Sequence, residues 1–255
     1  MDLNLQVMDL SSEDEAVVAT AKRDGIAVLS TLLTASELEP IRTEFDQLHL
    51  DMGKGPGTPG VRDSISGDAV LAYSHLVALY SHPRIIAVAQ AILQEPVPWA
   101  WQIKTNRYTP EHVGVRRHTD GVVGELSPPF TRLSMAVFLD DIDAVSGALT
   151  YVPGSHLWHF AAADQPDKQS PTQEQIDTGD YIPVALRAGD VVIRVPEVWH
   201  AVIPIHHMRR YVTASYMTRG ELSAQMTERI VAERERRVGS LDHVPEDLRP
   251  YYAVD

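Results

Sequence analysis

The chain has 255 residues, 44% hydrophobic and 22% charged, which is ordinary for a soluble globular protein. Its formal net charge of -13 comes from 22 basic and 35 acidic residues spread along the chain. This balance argues against nucleic acid or an anionic membrane surface as a partner, because both need basic patches. The absence of cysteine excludes disulfides, iron–sulfur clusters and thiol nucleophiles.

Residues 1–15 have neither the basic region nor the apolar stretch of a secretory signal. No apolar run is long enough for a membrane-spanning helix. We therefore expect a soluble, cytoplasmic protein whose partner is a small molecule. The sequence does not indicate an oligomeric state.

Capping residues and apolar periodicity predict mostly helix in the N-terminal part of the chain. Thr34 followed by Glu37, for example, is the pattern of a capping box. The predicted elements are a helix over 12–24 that opens at Ser12, a strand over 26–29, a helix over 34–52, a surface loop over 53–68 and a helix over 82–93.

From Val97 onward the sequence becomes rich in short β segments separated by Pro and Gly, which predicts a sandwich or a double-sheet barrel. The predicted strands are 99–108, 132–139, 148–153, 181–187, 190–195 and 210–218. The polar, irregular segment 161–180 predicts a long loop that is either disordered or functional, and closure over a site is one function it allows. We predict a single domain over 1–255, with a helical flank (12–96), a β core (97–218) and a C-terminal helix (221–238).

His118 and Asp120 lie two residues apart in the strand-rich region. Residues at this spacing project from the same face of a strand, so both can reach one metal ion. A surface turn is the alternative. The similar triplet formed by His49 and Asp51 lies on the predicted helix 34–52, where residues two apart point about 200° apart around the axis and cannot share an ion.

A third candidate ligand, His200, follows the turn Gly189-Asp190, a predicted strand and a bend. Alone, it is equally typical of a core histidine. Two histidines and one carboxylate form the facial triad that binds iron and leaves coordination positions open. Arg209 then lies at the start of the predicted strand 210–218, where a buried guanidinium needs an anion. Its planar fork suits the carboxylate of a dicarboxylate cosubstrate.

These motifs, in this order, resemble the phytanoyl-CoA dioxygenase family of Fe(II)- and 2-oxoglutarate-dependent oxygenases, over most of residues 12–218. The motifs are His118-Thr119-Asp120, the block GALTYVPGSH from Gly147 to His156, Gly189-Asp190, His200 and the segment RRYVT from Arg209 to Thr213. The resemblance implies a mostly β fold with flanking helices and a double-stranded β-helix (jelly-roll, cupin-like) core over 97–218.

The resemblance also implies Fe(II), 2-oxoglutarate and O2 as cofactor and cosubstrates. The implied iron ligands are His118, Asp120 and His200. Arg209 corresponds to the arginine that binds the distal carboxylate of 2-oxoglutarate, with Thr213 beside it. Arg210 is the competing candidate, because a one-residue slip of register turns a strand side chain to the opposite face.

The strand 101–108 has one polar face, formed by Gln102, Lys104 and Asn106. It resembles the polar trio of the ectoine hydroxylase branch of the family, which implies Asn106 near the C1 carboxylate of 2-oxoglutarate, Gln102 near the substrate and Lys104 between them. Exposure of this face to solvent is an equal alternative. Ser134 is a further candidate for a cosubstrate hydrogen bond.

Arginines near the motifs suit an acidic or polar substrate, although ion pairing or solvent exposure explains each of them more simply. They are Arg116, Arg117, Arg132 and Arg194, of which Arg117 is the candidate for substrate binding.

The resemblance implies oxidation, most readily hydroxylation, of an unactivated carbon of a small metabolite in specialised biosynthesis, with release of succinate and CO2. Asp120 argues against halogenation, because related halogenases have a small residue there. Desaturation, epimerisation and cyclisation at the same site remain open. Two other classes are a metal-dependent non-redox cupin enzyme, such as an isomerase, and a binding protein with a vestigial metal site.

Overall fold

The computed structural model describes residues 8–120, 130–158 and 172–219, together with 228, 232, 244, 246 and 249–252. The helix predicted over 221–238 lies outside the described residues apart from two positions. Of the predicted loop 161–180, residues 161–171 also lie outside them, so closure over a site remains a prediction. Residues 172–180, the described part of the predicted loop, are not all irregular. Gln173–Thr178 form a helix that begins with a capping box of Thr172 and Gln175.

Helices dominate the first hundred residues, as the capping and periodicity patterns predicted. They are α1 (Ser12–Asp24), α2 (Ala35–Asp51), α3 (Asp68–Leu71), α4 (Ser74–Ala78), a 3-10 turn (Leu79–Ser81) and α5 (Pro83–Leu93). The cap of α1 is Ser11, one residue before the predicted Ser12, and its hydroxyl accepts the Asp14 N–H at 3.1 Å. At the start of α2 the Glu37 carboxylate accepts the Thr34 N–H at 2.8 Å.

The prediction of a loop over 53–68 was wrong in its second half, because residues Arg62–Ser66 form a strand. The strand has a polar sequence because it pairs on one side only and alternates exposed with buried residues. Its buried Asp63 binds Arg107 at 2.7 Å. The sequence did not predict this strand because its residues are mostly polar and turn residues precede it.

The strands in the described residues form two antiparallel sheets. They are β1 (Ile26–Leu29), β2 (Arg62–Ser66), β3 (Trp99–Tyr108), β4 (Val115–His118), β5 (Arg132–Phe138), β6 (Leu149–Tyr151), β7 (Ile182–Val184), β8 (Val191–Arg194), β9 (His200–Val202) and β10 (Arg209–Met217). The six-stranded sheet has the order β1-β8-β5-β10-β3-β2, and the four-stranded sheet has the order β4-β9-β6-β7. The later helices are α6 (Gln173–Thr178) and α7 (Arg249–Tyr252).

This architecture confirms the predicted mostly β fold with flanking helices and a jelly-roll core. Alternate residues of the six-stranded sheet face two different layers. Met135, Ile193 and Val212 belong to the core cluster that includes Phe45 of α2 and Ile86 of α5. The residues that alternate with these along each strand face the four-stranded sheet.

In the part of the chain that the structure describes, each helix taken by itself lacks the length or the apolar character that a membrane span requires. One bent pair, Ser74–Ser81 with Pro83–Leu93, satisfies that criterion by length and composition only.

Gly189 makes the turn before β8 at a point where only glycine fits. Its φ is 94°, and a Cβ there would lie 2.6 Å from the carbonyl oxygen of Leu33. We predict that Gly189→Ala lowers the free energy of unfolding by more than the roughly 1–2 kcal/mol that a left-handed conformation alone costs. Gly53→Ala is the matched control, because Gly53 has a φ of 69° and nothing within 4 Å. Urea unfolding would measure both, and equal losses would contradict the steric explanation.

Candidate functional site

The antiparallel pairing of β4 with β9 places His118 directly opposite His200. The two imidazole centroids lie 4.2 Å apart. Asp120 follows β4, and its backbone N–H donates to the Pro196 carbonyl at 2.8 Å. One ligand atom of each of the three side chains lies within 4.8 Å of the others, and no other group of three His, Cys, Asp or Glu in the described part of the chain does this. The structure thus brings together the three predicted ligands.

Backbone carbonyls orient both imidazoles. Nδ1 of His118 lies 2.7 Å from the Arg116 carbonyl oxygen, and Nδ1 of His200 lies 2.9 Å from that of Val198. With Nδ1–H donating to these carbonyls, the lone pair of each Nε2 faces Asp120 Oδ1, at 3.5 Å for His118 and 3.9 Å for His200. This is the tautomer that a histidine ligand needs.

The Asp120 carboxylate is held from its other side by Arg194. The guanidinium of Arg194 contacts Oδ2, which leaves Oδ1 for the histidines. Although burial opposes the effect, Arg194 and then the histidines hold the pKa of Asp120 far below its usual range. Burial, followed by the charge of Arg194, lowers the pKa of His200 well below its ordinary value. An ionised carboxylate and a neutral imidazole are the forms that bind a divalent metal.

A cavity between the two sheets extends from this triad along β10. Arg209, Tyr211 and Thr213 point into it from alternate positions of that strand. Tyr108 and Lys104 of β3 are the cross-strand partners of Arg209 and Thr213. Arg194 pairs with Ser134, which pairs with Ser215 farther along β10. Arg209 therefore lies at one end of the cavity, and Arg194 with the triad lies at the other.

The Arg209 guanidinium is buried and has no acid beside it among the described residues. The residue is 3% exposed, and its Nε and Nη1 have no hydrogen-bond partner in the part of the chain that the structure describes. Three aromatic rings surround Cζ, those of Tyr108 at 5.2 Å, Phe138 at 5.0 Å and Tyr211 at 4.6 Å. A buried cation is costly without an anion, so this end of the cavity fits a carboxylate.

Arg210, the competing candidate, lies on the other face of β10. Its guanidinium binds Asp140 at 2.8 Å and Asp46 at 2.9 Å. Its charge is thus already paired, whereas that of Arg209 faces the cavity.

The predicted polar face of β3 points between the sheets and not into solvent, at least at the two positions whose side chains are described. Lys104 lines the cavity, and burial lowers its pKa. Asn106 is 0% exposed, its Oδ1 accepts from Arg62 at 3.2 Å, and its Nδ2 has no partner among the described residues. The side chain of Gln102 lies outside the described part.

Two further predicted residues, Thr213 and Ser134, line the same cavity, and the Thr213 hydroxyl is buried without a partner in the described chain. Arg117 does not line it. This side chain binds Asp177 of α6 at 3.2 Å and lies over the Tyr181 ring at 4.7 Å. With α6 it borders a second, open cavity beside His118, so its role in substrate binding stays a prediction.

Other cavity residues were missed by the sequence reasoning. Tyr108 and Tyr211 were detectable by strand parity, since each lies two residues from a candidate, Asn106 and Arg209. Arg62 had no such signal, because its strand was read as a loop.

The second His–Asp triplet behaves as helix geometry predicted. His49 is buried, with Nε2 3.1 Å from Thr105 Oγ1 and its ring stacked on Phe45 at 4.5 Å. Asp51 instead accepts the Tyr73 hydroxyl at 2.5 Å. The two side chains point apart and share no ligand position.

Arg194 orients a candidate metal ligand, which gives a testable prediction. We expect Arg194→Met to weaken Fe(II) binding by about tenfold or more, the usual effect of losing a group that orients a ligand. Anaerobic equilibrium titration of the apoprotein measures the dissociation constant. Arg187→Met, at an exposed arginine outside the cavity, is the control. An unchanged Fe(II) affinity in Arg194→Met would show that Asp120 is held adequately by its backbone contact.

His49 gives a prediction on pH. Burial, then the charge of Arg107, lowers its pKa from 6.5 to about 4. The unfolded chain therefore takes up this proton more readily, so the contribution of His49 to stability is lost as pH falls from 6.5 towards 4. We expect His49→Gln to flatten this part of the stability curve, by at most about 1.4 kcal/mol per pH unit. Urea unfolding at about pH 7 and about pH 5 measures the slope, with exposed His207→Gln as control. If wild type and His49→Gln lose the same stability between these two pH values, the assignment of this pH dependence to His49 is refuted.

Comparisons with known proteins find similar sequences and similar folds. The curated dioxygenase cdmA of Talaromyces verruculosus is 23% identical over 211 residues, which cover 76% of this chain and 68% of that protein. The solved structure of SnoN, a non-heme alpha-ketoglutarate-dependent epimerase from nogalamycin biosynthesis, superposes with a TM-score of 0.64 at 25% identity, covering 80% of this chain and 83% of that one.

SnoK, a non-heme alpha-ketoglutarate-dependent carbocyclase from the same biosynthesis, has a TM-score of 0.65 at 21% identity, covering 87% of this chain and 92% of that one, and shares the fold. SnoN has also been solved in complex with Fe3+, alpha-ketoglutarate and nogalamycin RO. The family model for phytanoyl-CoA dioxygenase matches residues 21–205. The chain belongs to the phytanoyl-CoA dioxygenase family.

Proposed function

We propose that this protein is a non-haem Fe(II)- and 2-oxoglutarate-dependent dioxygenase acting on a small metabolite. The observation that carries the proposal is that one cavity holds both a His–Asp–His ligand set and a buried, unpaired arginine. A metal site alone suits many cupin enzymes. A carboxylate receptor at the far end of the same cavity suits a cosubstrate that chelates the metal and has a second carboxylate.

In this proposal His118, Asp120 and His200 hold the iron. Arg209 binds the distal carboxylate of 2-oxoglutarate, with Thr213, Lys104, Asn106 and Ser134 as the other polar contacts. Bound iron supplies, with 2-oxoglutarate and O2, the oxidising power that attacks an unactivated carbon.

The residues of the chain position the reactants and exclude water. Apolar side chains from both sheets line the cavity between the triad and Arg209: Val115, Ala136, Phe138, Leu149, Val192 and Val202. Polar side chains supply the rest of the lining, among them Arg62, Tyr108, Arg194 and Tyr211. A dry, shaped cavity also limits side reactions of an oxidising centre. We further propose that the chain forms one catalytic domain, because the apolar faces of α1, α2 and α5 share a core with the six-stranded sheet.

Hydroxylation is the simplest reaction for this site, with release of succinate and CO2. Epimerisation is the second candidate, because SnoN, at 25% identity over most of this chain, is an epimerase. Gln102 and Arg117 remain proposed substrate contacts. A non-redox cupin reaction would leave the aromatic cage and unpaired charge of Arg209 without a purpose.

The first test is anaerobic titration of the apoprotein with Fe(II) and 2-oxoglutarate, followed by visible absorption. We expect the charge-transfer band of the chelate only when both components are present, and its loss in His118→Ala. Metal binding without any 2-oxoglutarate-dependent band would favour the non-redox alternative.

The two arginines of β10 give a matched pair of variants. We expect Arg209→Gln to raise the dissociation constant of 2-oxoglutarate by about a hundredfold, as the loss of a buried charge pair commonly does. Arg210→Gln should change it little, because the Arg210 charge is paired with Asp140 and Asp46. The charge-transfer band measures the dissociation constant of 2-oxoglutarate in both variants. A larger increase in Arg210→Gln than in Arg209→Gln would mean that the cosubstrate does not bind at Arg209.

A further inference from the structure

Arg62 lies in the same row of the six-stranded sheet as Tyr108 and Arg209. Tyr108, on β3, is the cross-strand partner of Arg62 on β2 and of Arg209 on β10. Partners across antiparallel strands project from the same face. The Cζ atoms of the two arginines each lie 5.2 Å from the centroid of the Tyr108 ring, and both side chains line the cavity.

Neither arginine has an acidic partner among the described residues. Arg62 donates to the amide oxygen of Asn106 at 3.2 Å, and this partner is neutral. The neighbouring Asp63 is committed to Arg107. Asp120, the one acid among the described residues that line the cavity, is held by Arg194 at the opposite end.

Two guanidinium groups beside one aromatic ring repel each other unless an anion lies between them. Burial raises the pKa of Tyr211, but the charges of Arg209 and then of Arg62 outweigh it, so the pKa lies below its usual value. His112 also has its pKa lowered, by burial and then by the same two charges. The Arg209 end of the cavity is therefore a site of concentrated positive charge.

We infer that Arg62 is a second cation for the distal carboxylate of 2-oxoglutarate, acting from the edge strand while Arg209 acts from the sheet interior. The inference rests on the proposed function. Arg62 is exposed and Arg209 is buried, so the two guanidiniums approach the carboxylate from its solvent side and its buried side. Arg62 is thus a positioning residue that favours dicarboxylate over monocarboxylate 2-oxo acids.

The test compares two ligands that differ only at the distal end. 2-Oxovalerate has a methyl group where 2-oxoglutarate has its distal carboxylate, and both chelate Fe(II) through the 2-oxo acid group. Anaerobic titrations followed by the visible band give the dissociation constants of both, and titration of the apoprotein gives that of Fe(II). The variants are Arg62→Gln, Arg62→Lys and the exposed control Arg187→Gln.

We expect Arg62→Gln to weaken 2-oxoglutarate binding by about tenfold, the effect of one charge-assisted contact. Binding of 2-oxovalerate and of Fe(II) should change by less than about twofold, and Arg62→Lys should recover part of the loss because it keeps the charge. Arg187→Gln should behave as wild type.

An unchanged affinity for 2-oxoglutarate in Arg62→Gln would overturn the inference. Equal losses for 2-oxoglutarate and Fe(II), or for both 2-oxo acids, would also overturn it, because they indicate general damage to the cavity. Failure of the proposed function gives a different result, since wild-type protein would then bind Fe(II) and show no band with 2-oxoglutarate.

Discussion

The register of β10 between β3 and β5 decides which charges enter the cavity. Arg209 and Arg210 are neighbours in sequence, yet one is caged by aromatic rings and the other is paired with two aspartates on the opposite face. A shift by one residue would exchange them and would turn Tyr211 and Thr213 out of the cavity as well. Cross-strand pairing to β3 on one side and β5 on the other opposes such a shift.

The protein is acidic outside and basic within its cavity. The chain has a net charge of -13, while Arg62, Lys104, Arg194 and Arg209 outnumber the single acid that lines the described cavity. Salt screens the surface charge within about 8 Å at physiological ionic strength. Arg209 is buried, and Lys104 and Arg194 are partly buried, so their charges are screened less than those of exposed residues such as Arg62. A dianionic cosubstrate bound there would relieve their mutual repulsion, and we expect its binding to stabilise the fold.

The helices and most strands were predictable from the sequence because they depend on local periodicity, whereas the candidate triad was assembled from the family resemblance. Capping residues located α1 and α2, and helix geometry set the pair His49 and Asp51 aside. The expected common strand face of His118 and Asp120 was wrong, because β4 ends at His118 and Asp120 follows it with a backbone hydrogen bond to Pro196. The misses have a physical cause. The β2 edge strand is polar because only one of its edges is paired, so nothing in its composition distinguishes it from a loop. The contact between Arg194 and Asp120 depends on tertiary packing, which no spacing in the chain reveals.

The two imidazoles are oriented by carbonyl oxygens at positions 116 and 198, and any amino acid supplies a carbonyl. The side chain at position 116 can therefore change during evolution or engineering without disturbing the tautomer of His118, whereas Val198 is fixed by its burial in the core. Arg116 is exposed at the border of the open cavity beside His118. The rim of the site is consequently free to diversify towards new substrates while the geometry of the ligand set is conserved by the backbone.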